Sequence, residues 1–262
     1  MSAALPTTRP WDTAIAAHRG GTLEWPENSP TAFRNTAALP VEFVEFDVHR
    51  SRDGVLVVHH DATLERTTCG AGPIGDRTWA ELRELTLHGT SGERIPSLAE
   101  VIRIFQPTPI ALRLEIKPDA NLDLYPGMER EIARVLEAEG MLARTVVTSF
   151  FLDALAAFSH AATPAGAIWL VAPLVLKSIG GLARAMDLSA AHGVTEIGLH
   201  HETLVPADLA LSLARGFRLG AWAVHEEGPI RRVLRAGVTV FTTDRPTLAV
   251  RLRDEMRRSG EI

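Results

Sequence analysis

The chain has 262 residues, 46% of them hydrophobic and 23% charged, enough to bury a large core either as one α/β barrel or as two small domains. A net charge of −5, with Lys and Arg dispersed along the chain, argues against nucleic acid as the main partner. Cys69 is the single cysteine, which excludes an intrachain disulfide and a cysteine-cluster metal site.

From the N-terminus, the stretch MSAALPTTRPWDTAIAAHRG has no basic segment leading into an apolar one. No apolar run reaches the roughly 18 residues that cross a bilayer, so the expectation is a cytoplasmic protein without an integral membrane segment. Residues 13–18 (TAIAAH) read as the first strand. Ser29-Pro30 then sets a cap and an N1 proline for a helix over 29–39. Residues 41–48 (VEFVEFDV) form the next strand, closed by the Asp53-Gly54 turn. An excursion over 55–110 follows, holding VLVVHH, an irregular stretch from Arg66 to Leu85, and IPSLAEVIRIF as the returning helix. Short apolar runs resume at 111–117, 145–150, 166–171, 196–200, 218–224 and 239–244, with helices between them, two of which open at Val205-Pro206 and Gly228-Pro229. Strand and helix alternate throughout, and eight strands close a (β/α)8 TIM barrel. The expected layout is one barrel domain over 12–257 with an insertion at roughly 55–97, flanked by extensions at 1–11 and 258–262.

Alternate side chains of a strand share a face, so Glu45 and Asp47 point together, away from Val44, Phe46 and Val48. In LRLEIK, Arg113, Glu115 and Lys117 likewise share a face. Charges aimed into a barrel belong at its C-terminal mouth, where active sites are built. Glu42, by alternation on the other face, is expected to be structural. Three carboxylates from two strands suit a hard divalent cation, Mg²⁺, Ca²⁺ or Mn²⁺. With that dication, Arg19 and Lys117 in place, one net positive charge remains to meet a phosphodiester monoanion. The alternative is a ring of ion pairs in which Arg113 or Lys117 neutralises the acids without a metal. His18 and His60 each end an apolar run beside these groups, and paired imidazoles can supply a general base and a general acid. His59 falls on the opposite face as a packing residue, and His200 and His201 carry a lesser claim as ligands.

HRGG, PENSPTAF, VEFDV, DG, VVHHDATLERTTCG, IPSLAEV, LEIKP, TSF, WAV and TDRP occur in that order between Ala17 and Thr247. This succession resembles the glycerophosphodiester phosphodiesterase family. The resemblance implies a TIM barrel that hydrolyses a glycerophosphodiester, a small-molecule substrate, to sn-glycerol 3-phosphate and an alcohol. It implies His18 and His60 as the acid-base pair and Glu45, Asp47 and Glu115 as ligands of one divalent cation. It further implies Arg19 and Lys117 as cations at the phosphate, Glu27 as a supporting residue near the metal, and Trp222 lining the substrate's path. His225 stands where the family usually has Asn, which leaves the alcohol open, as are the nucleophile (water or the neighbouring glycerol hydroxyl) and the formation of a homo-oligomer. The competing readings are a phospholipase D-like relative acting on lysophospholipids or sphingomyelin, and a non-catalytic phosphodiester-binding barrel.

Overall fold

A computed structural model describes residues 13–262; the extension expected at 1–11 lies outside the described residues. The strands are β1 (Ala14–His18), β2 (Phe43–Arg50), β3 (Leu56–Val58), β4 (Ala111–Ile116), β5 (Thr145–Ser149), β6 (Gly166–Val171), β7 (Glu196–His200), β8 (Arg218–Trp222) and β9 (Val240–Thr243). All except β3 pair in parallel, in the order β2-β4-β5-β6-β7-β8-β9-β1, and β1 pairs back onto β2. The sheet therefore closes into the eight-stranded barrel that the alternating pattern predicts.

Around it run α1 (Pro30–Thr36), α2 (Trp79–Leu82), α3 (Leu98–Phe105), α4 (Met128–Ala138), α5 (Leu152–Ala161), α6 (Pro173–Ser178), α7 (Leu182–Ala191), α8 (Pro206–Ala214), α9 (Glu227–Ala236) and α10 (Pro246–Ser259). Ser29 caps α1 by accepting the Ala32 N–H at 3.0 Å. The α9 helix starts at Glu227, slightly before the Gly228-Pro229 pair that signals it in the sequence; Pro229 lacks only an N–H that the first turn leaves unpaired anyway. Among the described residues, no helix is long and apolar enough to cross a membrane.

Strand alternation divides the core in two. Val44, Phe46 and Val48 face outward into the layer between sheet and helices, where Phe33 of α1 stands edge-on to both Phe46 and Phe105. The barrel's lower interior is filled by Ala14, Ala16, Phe43, Ala111, Val146, Ile168 and Val240. Glu42 lies outside this interior, accepting the Ile15 N–H at 2.9 Å and two Arg253 bonds at 2.8 Å. It ties β1 to α10 and is structural, as alternation predicts.

The excursion begins as a hairpin, with β3 antiparallel to β2. Its own small core of Val57, Leu64, Ile74, Leu82, Leu87 and Ile95 lets an otherwise irregular segment hold a fixed shape. This rigidity matters because His60 and Asp61 follow directly from β3.

Candidate active site

The turn after β1 sets the first part of the site. Arg19, Gly20 and Gly21 are successive left-handed residues, with φ of 50°, 80° and 100°. Gly20 is obligatory: a Cβ there would come 2.9 Å from that of Ala32. The turn points the Arg19 backbone N–H at Glu45 Oε2 (3.1 Å) and its guanidinium at Glu27 (3.1 Å) and Asp47 (3.3 Å).

The register of β2 with β4 sets Glu45 opposite Arg113 and Asp47 opposite Glu115. One oxygen from each of Glu45, Asp47 and Glu115 lies within 4.8 Å of the others, and all three side chains are buried. Lys117 Nζ sits 2.9 Å from Glu115 and 3.6 Å from Asp47, and Asn28 donates to Asp47 Oδ2 at 3.0 Å. Asp47 Oδ1 is nevertheless buried with no hydrogen bond. Glu45 has no lysine or arginine side chain as an ion-pair partner among the described residues. Burial and the Asp47 carboxylate push its pKa up to about 7, whereas Lys117 and Arg19 hold Asp47 far below the usual range against its burial. Arg113 does not supply the missing charge. It lines the same cavity, buried, with Nε and Nη1 making no hydrogen bond, and burial lowers its pKa. The ion-pair alternative is thus only partly realised, by Arg19 and Lys117. An oxygen-rich, under-neutralised pocket with an orphaned carboxylate oxygen fits a hard divalent cation.

Each predicted histidine has its own carboxylate. His18 Nδ1 meets Asp244 Oδ1 at 2.5 Å, leaving Nε2 toward Glu45. Burial opposes charge on His18, but Glu45 and Asp244 outweigh it and raise its pKa. His60 Nδ1 meets Asp61 Oδ1 at 2.6 Å. Asp61 is in turn gripped by Arg66, which also bridges to Glu27 at 2.7 Å. Burial dominates at His60 and lowers its pKa. His18, Arg19, Glu45, His60, Glu115, Lys117, Trp222 and His225 share the walls of one cavity of about 240 Å³.

Glu27 stands back from this cavity as the clamp between Arg19 and Arg66. Trp222 hydrogen-bonds the Gly198 carbonyl at 3.2 Å and presents its ring to Phe150. His225 accepts the Asp244 N–H at 3.0 Å, so its Nε2 carries the proton. His59 is buried against Thr67, and His200 packs on Trp222 outside the cavity wall. Sequence reasoning missed Asn28, Arg66 and Asp244 as contributors. Asp244 directly follows the last barrel strand, much as His18 closes the first.

A profile of the glycerophosphoryl diester phosphodiesterase family matches residues 18–248. The chain belongs to that family. Glycerophosphodiester phosphodiesterase of Caldanaerobacter subterraneus subsp. tengcongensis is 29% identical over 253 residues, covering 95% of this chain and 99% of the relative. A crystal structure from Agrobacterium tumefaciens, assigned to glycerophosphoryl diester phosphodiesterases, is 40% identical with a TM-score of 0.91, over 94% of this chain and 99% of that one. The fold also matches an Oleispira antarctica phosphodiesterase in complex with its product sn-glycerol-3-phosphate, with a TM-score of 0.80 at 23% identity over 93% and 97% of the two chains. The phosphodiesterase family thus accounts for the order of the motifs and for the barrel on which they lie.

Proposed function

We propose that the chain hydrolyses glycerophosphodiesters to sn-glycerol 3-phosphate and an alcohol in the cytoplasm, with Glu45, Asp47 and Glu115 holding one Mg²⁺, Ca²⁺ or Mn²⁺ ion and His18 and His60 exchanging protons with substrate. The observation that carries this reading is a cluster of three buried carboxylates, two of which line the same cavity as two carboxylate-backed imidazoles. The Oleispira relative's product is the one this reaction would leave.

The bound cation would supply Lewis-acid polarisation of a phosphoryl oxygen. Arg19 and Lys117, fixed by Glu27, Asp47 and Glu115, offer positive charge to the phosphate. The two histidines differ in their partners. Asp244 serves His18 without an arginine on it, whereas Arg66 draws negative charge from Asp61 behind His60. His18 is therefore the stronger base and His60 the stronger acid. With Nδ1–H held by Asp244, His18 Nε2 takes the proton of the attacking hydroxyl, from water or the adjacent glycerol carbon. As the new P–O bond forms and the bond to the alcohol breaks, His60 Nε2 gives its proton to the departing alkoxide. If the glycerol hydroxyl attacks, water then opens the cyclic phosphate with the two roles reversed.

The test is release of glycerol 3-phosphate from glycerophosphocholine, glycerophosphoethanolamine and glycerophosphoinositol, with each divalent cation and with chelator. Turnover that needs a cation is expected. Full turnover in chelator refutes the metal, and no turnover of any diester refutes the substrate class.

A further inference from the structure

A second cavity, of about 390 Å³, opens off the first, and the two share His60, Glu115, Lys117 and Phe150 as walls. The Phe150 ring, edge-on to Trp222 at 5.7 Å, forms part of the partition between them. Beyond the partition the apolar lining is Ala62, Ile116, Pro118, Leu122 and Phe151; of the polar groups there, His49 is held by Tyr125 and the His60 carbonyl and Asp61 by His60 and Arg66, which leaves the carboxylate of Asp119. Lys117 is held in this shared wall by its ion pairs with Glu115 and Asp47.

Backbone strain marks this cavity as built. Among the described residues, those other than glycine with positive φ are Arg19, Asn28, Ala223 and Leu122. The first three belong to the catalytic site: Arg19 and Ala223 line its cavity, and Asn28 holds Asp47. Leu122 is the fourth, at φ 67° and with 71% of its surface exposed. A leucine in the left-handed region costs roughly 1–2 kcal/mol, and its side chain remains largely in water. The loop enforces this conformation. Asp119 Oδ1 accepts the N–H groups of Asn121 and Asp123, and the Leu122 N–H closes onto the Asp119 carbonyl. Asp119 Oδ2 takes no hydrogen bond among the described residues.

We infer that this second cavity is the subsite for the departing alcohol and that it selects a small quaternary-ammonium alcohol over a polyhydroxyl one, an assignment that rests on the function proposed above. Aliphatic walls and two phenylalanines suit a weakly hydrated, methyl-covered cation, and one carboxylate supplies its counter-charge. A polyhydroxyl alcohol would instead leave hydroxyls facing Ile116, Leu122 and Phe151 without partners. The location also sets the leaving oxygen on the His60 side of the phosphorus, where the proton donor stands.

The test compares kcat/KM for glycerophosphocholine and glycerophosphoinositol in the wild type, Asp119→Asn and Leu122→Gly. Asn keeps the Oδ1 acceptor that shapes the loop, and Gly relieves the left-handed strain while removing the apolar lip. The wild type should prefer the choline diester by about tenfold or more, and each variant should lower that preference several-fold. A preference unchanged in both variants, or a wild type that favours inositol, overturns the subsite. Failure of the wild type to cleave either diester overturns the underlying function and the subsite with it.

Discussion

Replacing Glu45 by Gln should stabilise the metal-free protein while weakening its grip on a cation. Burial and Asp47 raise the Glu45 pKa to about 7 in the folded chain, against about 4.5 when unfolded. The folded state therefore binds the proton more tightly, and stability is lost as pH rises from about 4.5 through 7. At one pKa unit per 1.36 kcal/mol, the ionised carboxylate costs on the order of 3 kcal/mol at pH 7 and well under 1 kcal/mol at pH 4.5. Urea unfolding of wild type and Glu45→Gln in chelator, at pH 5, 6 and 7, reads this cost directly. The variant's advantage should grow with pH and reach a few kcal/mol at neutrality. Titrating Mg²⁺ into both, in a calorimeter, should give weaker binding to the variant. If the variant is the less stable protein at pH 7 and binds the cation equally well, Glu45 belongs to a structural ion-pair network and the metal site is wrong.

Three further predictions concern the support around the site. His49 is buried, donates through Nε2 to the His60 carbonyl and accepts from Tyr125; burial holds its pKa down to about 4. The unfolded chain thus gains the proton first, and stability attributable to His49 falls as pH drops from about 6.5 toward 4, so in chelator His49→Gln should lose on the order of 1 kcal/mol less than wild type between pH 7.5 and 5.5; parallel unfolding curves would refute this. Asp244→Asn should lower kcat by roughly 10²- to 10⁴-fold with little change in KM, because the amide no longer fixes the His18 tautomer; glycerol 3-phosphate release measures it, and a loss confined to KM counts against the pairing. Glu42→Ala strands the buried Arg253 guanidinium and should cost roughly 3 kcal/mol in urea unfolding with kcat/KM unchanged, whereas a drop in kcat/KM without lost stability would deny its structural role.

Where the chain is regular, the site was legible. Period-two alternation fixes which face Glu45, Asp47 and Glu115 occupy whatever the details of packing, and strand ends located His18 and His60. Register was not legible, and the missed residues depend on it. Asp244 meets His18 across 226 positions of sequence, where β1 and β9 close the barrel. Arg66 reaches Glu27 and Asp61 only because the excursion's small core folds the irregular stretch after β3 back over the mouth. Glu27 drew attention through its motif, but its partners show that it acts on two arginines. Leu122 carries no motif at all; its conformation follows from the Asp119 loop, which a linear reading has no means to draw.

The β2 strand itself contains the comparison that separates structural acids from functional ones. Glu42 faces outward and receives a two-bond guanidinium from Arg253. Three residues on, Glu45 faces inward and lacks any such partner, although Arg113 stands opposite it in the sheet. That arginine makes no ion pair with it and leaves two nitrogens without hydrogen bonds, and Arg19 and Lys117 are drawn to Asp47 and Glu115. The fold thus supplies full compensation where charge serves only to hold α10 to the barrel, and withholds it at the mouth. An uncompensated buried carboxylate costs too much to persist for packing alone. On the function proposed above, that deficit would be met from solvent: a dication would turn the cluster's net charge positive, and a phosphodiester monoanion would then find both attraction and a pair of oriented imidazoles.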